Sequence, residues 1–223
     1  MRLPADAVLI VIDMQEAIDD PRWGPRNNLG AEANIAALIA AWRAEGLPLV
    51  HIRHDSVDPA SAYALNGPGH AFKPCAAPLE GETVIGKNAN SAFVGTGLEG
   101  LLDEIGATTL VICGVLTPNS VEATARHAGN LGYQVFVVAD ASWAVDKTDM
   151  RGKRWPADDV HALSLAHLEG EYASVVDAAT TLRAAALAKA RQRRATRKTE
   201  APPTSGARQI AASNDKPGES PRK

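Results

Sequence analysis

The sequence predicts an α/β fold, three layers in the order α-β-α around a mainly parallel six-stranded sheet. Short continuous apolar runs rich in β-branched residues, such as Ala7-Val8-Leu9-Ile10-Val11-Ile12 and Leu110-Val111-Ile112-Cys113, suit strands buried on both faces. Segments with apolar residues at helical spacing alternate with these runs, the pattern of βαβ units. The chain has 223 residues, 45% of them hydrophobic, enough for one sizeable core.

The elements follow in order. Val8 to Ile12 reads as the first strand, and Asp19-Asp20-Pro21-Arg22-Trp23-Gly24-Pro25 as a loop of turn residues. Ile35, Leu38, Ile39 and Trp42 recur at i, i+3, i+4 and i+7, a helix stripe closed by Gly46. Leu49 to Ile52 is the second strand. A long loop rich in Gly, Pro, Ala and Ser follows from Asp55 to about Glu82, and a loop of that length in a compact domain is usually functional. Thr83-Val84-Ile85 is the third strand. Thr96-Gly97-Leu98-Glu99 has the capping-box pattern, ahead of a stripe of Leu98, Leu101, Leu102 and Ile105 that ends at Gly106. Leu110 to Val115 is the fourth strand, and the next helix starts near Ser120 and ends at Gly132. Val135 to Ala139 is the fifth strand. A helix from about Ala157 to Leu168, a short strand near Ala173 to Val176 and a helix from about Ala178 to Ala190 complete a domain over 1–190. Residues 191–223 are polar, charged and free of aromatics, and read as a disordered basic tail.

Charge is uneven. From Lys189 to Lys223 there are ten Lys/Arg and three Asp/Glu, about +7, which leaves about −10 on the body for a formal net charge of -3. An acidic body argues against a nucleic-acid-binding face. The basic run Arg191, Arg193, Arg194, Arg197 and Lys198 reads as a solvated tail. Two cysteines make no disulfide framework, and Cys113 inside an apolar run reads as a core residue. Neither a secretory leader nor a membrane-spanning run is visible, so the expected compartment is the cytoplasm, with no membrane partner.

Open parallel sheets bind ligands beyond the carboxyl ends of their strands. Asp13, Lys87 and Ser120 stand at three such ends, so a carboxylate, an ammonium and a hydroxyl converge there if the fold is right. Ser120 also opens a helix, where unpaired N–H groups and the helix dipole favour a nucleophile and the oxyanion it makes.

Three segments carry a resemblance: Val11-Ile12-Asp13-Met14-Gln15, Gly86-Lys87-Asn88-Ala89-Asn90-Ser91-Ala92-Phe93, and Gly114 through Arg126. With Asp140-Ala141 and His167 through Ala173, they resemble the isochorismatase-like hydrolases over about Ala7 to Ala179. That superfamily includes nicotinamidases, N-carbamoylsarcosine amidohydrolases, biuret hydrolases and isochorismatases, on a Rossmann-like sheet. The resemblance implies Asp13 as general base, Lys87 as charge stabiliser and position 120 as nucleophile. It implies a cis peptide at Val115-Leu116 that aims N–H groups near Leu116 and Ser120 at the substrate oxygen. The implied reaction is attack on an amide or ureido carbonyl of a small molecule, release of ammonia or an amine, and hydrolysis of the acyl-enzyme by water. Homo-oligomers are common in the family. Trp23, Asn28, His70, Phe72 and Phe93 are candidate pocket residues, and Gly67 to Phe72 resembles the segment that closes over substrate.

Amidases of this family carry cysteine where this chain has Ser120. A thiol ionises readily at a helix start beside a cation; a serine hydroxyl is a far weaker acid and needs a strong positioned base. Three readings stay open: a Cys→Ser form of a cysteine amidohydrolase with reduced or abolished turnover, a natural serine form acting as a weak hydrolase or non-catalytic binder, and an isochorismatase-type vinyl ether hydrolase that needs only Asp13 and Lys87. Cys113 is enclosed in its strand, and Cys75 is a remote substitute for the nucleophile. The nicotinamidase metal spacing Asp-x-His is absent from Ile52-Arg53-His54-Asp55-Ser56, with His70 further on, so neither a metal nor another cofactor is expected.

Overall fold

The computed structural model describes residues 1–200. Its central sheet has six parallel strands in the order β3-β2-β1-β4-β5-β8. They are β1 (Val8–Ile12), β2 (Leu49–His54), β3 (Thr83–Lys87), β4 (Thr109–Val115), β5 (Gln134–Trp143) and β8 (Ser174–Val176). A two-stranded antiparallel hairpin, β6 (Lys147–Thr148) with β7 (Arg154–Trp155), stands apart from the sheet. The hairpin has no period to betray it in the sequence, because each strand is two residues long.

Every residue of β1 and β4 is buried, as continuous apolar runs require. Side chains alternate between the two faces. Leu9 and Val11 join the layer with α1 (Ala31–Glu45) and the C-terminal helix, through Ile35, Leu38, Ile39, Trp42 and Ala185. Val8, Ile10 and Ile12 face the layer of α2 (Leu98–Ile105), α3 (Glu122–Asn130) and α4 (Ala157–Leu168), through Leu98, Leu102, Ala125 and Leu168. The expected stripe of α1 is therefore its core face, and Gly46 ends it in the left-handed region at φ 57. At α2 only half of the capping box forms: Thr96 Oγ1 accepts from Leu98 N–H at 3.3 Å, with Gly97 as the residue before the helix.

The last helix, α5 (Ala178–Glu200), runs ten residues beyond its expected end near Ala190. Ala, Arg, Gln, Lys and Glu are good helix formers, and Pro202 is the first breaker. The rest of the expected tail, 201–223, lies outside the described residues. Among the described residues no helix is long and apolar enough to cross a membrane.

Strand order reverses between β1 and β4, whose pairing brings Ile12 opposite Gly114. Gly114 has φ +118, and a Cβ there would lie 2.2 Å from the Ile12 carbonyl oxygen. Only glycine lets the two strands approach so closely where the sheet opens into its crevice.

Candidate active site

Asp13 follows β1 with φ 53, yet its N–H still donates to the Ile52 carbonyl at 3.0 Å. The strand ladder thus holds the carboxyl at the sheet edge in a left-handed conformation that Asp tolerates better than most residues. Lys87 ends β3 and is wholly buried, with its Nζ 2.7 Å from Asp13 Oδ2. Ser120 sits in a wide turn, Thr117–Val121, in which Val121 N–H reaches back to the Leu116 carbonyl before α3 begins. Its Oγ is 3.2 Å from Lys87 Nζ. The three expected residues are therefore brought together. The Val115–Leu116 peptide bond is cis, and the Leu116 carbonyl is occupied by Asn119 N–H at 3.0 Å and Val121 N–H at 3.3 Å.

Lys87 has two further neighbours, the Ala89 carbonyl at 3.0 Å and His54 Nδ1 at 3.1 Å. Burial raises the pKa of Asp13, against the opposing pull of Lys87 and of hydrogen bonds from Lys87 and Ser120. Asp13 Oδ1 is buried with no hydrogen-bond partner among the described residues. Burial and the adjacent Lys87 hold His54 below the usual histidine range, and burial holds Tyr63 protonated, well above the usual tyrosine value.

Beside these groups is a cavity of about 140 Å³, with Asp13, Ser120, Val115, Leu116 and Asn119 in its wall. Trp23, Tyr63 and His54 form its aromatic side, Tyr63 standing edge-on to Trp23 at 6.2 Å and to His54 at 5.5 Å. The space is small against the ~300–1,000 Å³ usual for drug-sized ligands. A larger groove of about 680 Å³, between α4 and the Pro118 turn, touches none of the three converging residues.

Trp23, a candidate pocket residue, lines this cavity, with its indole N–H fixed on the Ala17 carbonyl at 2.9 Å. The other candidate pocket residues do not line this cavity. His70 Nε2 is paired with Asp55 at 2.7 Å. Phe72 lies edge-on to His51, with a backbone bridge to Gln15. Phe93 is buried between His127 and Tyr133 in the other layer. Asn28 spends its amide on the Ala139 and Ser142 carbonyls. Cys113 is fully enclosed, and burial drives its thiol pKa far up; Cys75 is half-buried, its pKa also raised, and lies outside the cavity.

Tyr63, Ser61, Asn90 and Asn119 are the wall residues that sequence reasoning missed. The long loop reaches the cavity because the buried Gln15 amide staples it: Nε2 donates to the His54 and His70 carbonyls, and Oε1 accepts from His54 N–H at 2.7 Å. The metal of the nicotinamidases does not fit here. His54 Nδ1 faces the Lys87 ammonium, and both Asp55 oxygens are engaged by Arg53 while one also meets His70.

Residues 7–180 match the family of the Isochorismatase domain. The chain belongs to the isochorismatase family. An isochorismatase-family protein from Chromobacterium violaceum superposes with a TM-score of 0.81 at 56% identity, over 83% of this chain and 97% of that one. The uncharacterized isochorismatase family protein YrdC of Bacillus subtilis is 39% identical over 75% of this chain and 90% of its own. Ureidoacrylate amidohydrolase RutB of Methylobacterium radiotolerans is 29% identical over 79% of this chain and 78% of its own. The chain is thus an isochorismatase-family hydrolase by descent, on the three-layer α/β scaffold of that family.

Proposed function

We propose that this protein is a hydrolase of C–N bonds in a small amide or ureido compound, with Ser120 in the position of the nucleophile. The observation that carries the reading is the Asp13–Lys87–Ser120 contact chain at the wall of a small cavity, at a helix start. The likeness to an enzyme named for a ureido substrate agrees with it.

Asp13 takes the Ser120 proton as Oγ bonds to the substrate carbonyl carbon. Its raised pKa makes it a better base than an ordinary carboxylate. Lys87 offsets the charge on Asp13, and N–H groups at Leu116 and Ser120 face the developing oxyanion. The C–N bond breaks as Asp13 returns the proton to the leaving nitrogen, and water then cleaves the Ser120 ester. A serine served by one carboxylate turns over slowly, so the chain as it stands is a weak hydrolase and Ser120→Cys a faster one.

The test is an ammonia-release screen of small amides and ureas with the chain and with Ser120→Cys. Release by Ser120→Cys that disappears on adding Asp13→Asn is the expected result. A folded Ser120→Cys protein that releases ammonia from no compound in the panel refutes the proposal.

The raised pKa of Asp13 also favours a second reading, a vinyl ether hydrolase in which Asp13 donates a proton and Ser120 takes no part. That reading requires turnover to survive Ser120→Ala and to vanish in Asp13→Asn. Ligand binding without turnover in every variant would instead define a binding protein.

A further inference from the structure

We propose that His54 works from both ends of its ring: Nδ1 accepts from Lys87 and aims the ammonium, while Nε2–H stands in the cavity as a donor to an acceptor atom of the ligand. The inference rests on reading this cavity as the ligand site, though not on which bond is cleaved there.

An ammonium carries three N–H groups and accepts nothing. Lys87 Nζ has four neighbours, Asp13 Oδ2 at 2.7 Å, the Ala89 carbonyl at 3.0 Å, His54 Nδ1 at 3.1 Å and Ser120 Oγ at 3.2 Å. At 3.1 Å from a group that only donates, Nδ1 must offer its lone pair. The neutral ring then carries its one proton on Nε2. Three protons shared among four neighbours leave Ser120 with the longest contact. The lysine is thus held mainly by Asp13, Ala89 and His54, and Ser120 Oγ is the least committed of the four.

The surroundings agree on a neutral ring. His54 meets Lys87 from β3, Asp13 from the end of β1, Asp55 beside it and Tyr63 edge-on from the long loop. Burial and Lys87 push its pKa down against Asp13 and Asp55. The far nitrogen has no hydrogen-bond partner among the described residues, although His54 lines the cavity. A free N–H there gives the cavity a hydrogen-bond donor. That donor suits a ligand that presents a carbonyl oxygen.

Two measurements test this on the full chain. Long-range proton–nitrogen NMR of the histidine-labelled protein, with His54→Gln to assign the signal, reads the tautomer directly. The expected spectrum shows a bare Nδ1 and a protonated Nε2 at about pH 7 to 8. An Nδ1–H tautomer, or an imidazolium within that window, overturns the proposal. The second measurement uses the Ser120→Cys protein and whichever small amide or urea it hydrolyses. His54→Gln keeps a donor near the Nε2 position and leaves KM within about threefold. His54→Asn keeps an acceptor near Nδ1 but loses the cavity donor, and raises KM about tenfold with a smaller loss of kcat than His54→Gln, which leaves Lys87 without its acceptor. Equal effects of the two substitutions on KM, or none, refute the donor role. Should no compound be turned over, the proposed reaction fails, and the tautomer spectrum by itself decides the assignment of His54.

Discussion

Replacing Lys87 with Met removes the positive half of a buried pair whose side chains are 0% and 5% exposed. The methionine fills most of the space, so the main loss is electrostatic. Breaking such a pair from one side costs about 3–5 kcal/mol, because the remaining charge stays buried. The structure sets a ceiling on that figure. Asp13 escapes its charge by binding a proton, and from an ordinary pKa of 3.8 that costs about 4 kcal/mol at pH 7. In the variant the folded pKa of Asp13 rises further above its unfolded value. The native state then holds a proton that the unfolded chain has released, so stability is present at low pH and is lost as pH rises toward the folded pKa. Urea unfolding of parent and Lys87→Met between about pH 5 and 8 measures it. The deficit is expected to be about 3–4 kcal/mol at pH 7 and to narrow as pH falls to 5. A deficit that does not change with pH, or one below about 1 kcal/mol at pH 7, refutes the idea that Lys87 compensates Asp13.

Three further outcomes are expected. Gly114→Ala places a Cβ 2.2 Å from the Ile12 carbonyl oxygen at φ +118, and should abolish folding or cost more than about 4 kcal/mol; a melting temperature within a few degrees of the parent contradicts this. Glu82, paired with Arg43 at 2.7 Å and with buried His51 at 3.0 Å, has its pKa lowered from 4.5 to about 2. Its stabilisation is present above pH 4.5 and lost as pH falls toward 2, so Glu82→Gln should flatten acid unfolding by about 1 kcal/mol, and an unchanged acid limb argues otherwise. Trp42→Phe strands the Ala7 carbonyl that now receives the indole N–H at 3.0 Å, and should lower the urea midpoint by the equivalent of about 2 kcal/mol at constant slope.

The strands were legible because parallel strands buried on both faces need apolar runs, and runs such as Val8–Ile12 have no other use in a chain this polar elsewhere. The convergence of Asp13, Lys87 and Ser120 was legible too, since strand ends in such a sheet open on one crevice. What the pattern could not carry was the path of the long loop. Whether Phe72 faces His51 or the cavity depends on how the Gln15 amide draws the loop in, a contact set by two residues far apart in sequence. Tyr63 enters the cavity wall by the same route, whereas His54 stands there as the last residue of β2. α5 runs past Ala190 because the residues there, though polar, are good helix formers, and polar composition alone does not distinguish such a helix from a solvated tail.

The strand that ends in Lys87 is bonded to a neighbour on one side only, at the border of the sheet. Its terminal amine nevertheless reaches past β2 to the carboxylate that follows β1. The molecule has in effect sewn its loosest seam through its reactive centre. Any fluctuation that peels β3 away dismantles the chemistry with it, long before the interior gives way. Conversely, whatever occupies the crevice fastens that seam, so hydrogen exchange along Thr83–Lys87 should slow on ligand binding more than anywhere else in the sheet.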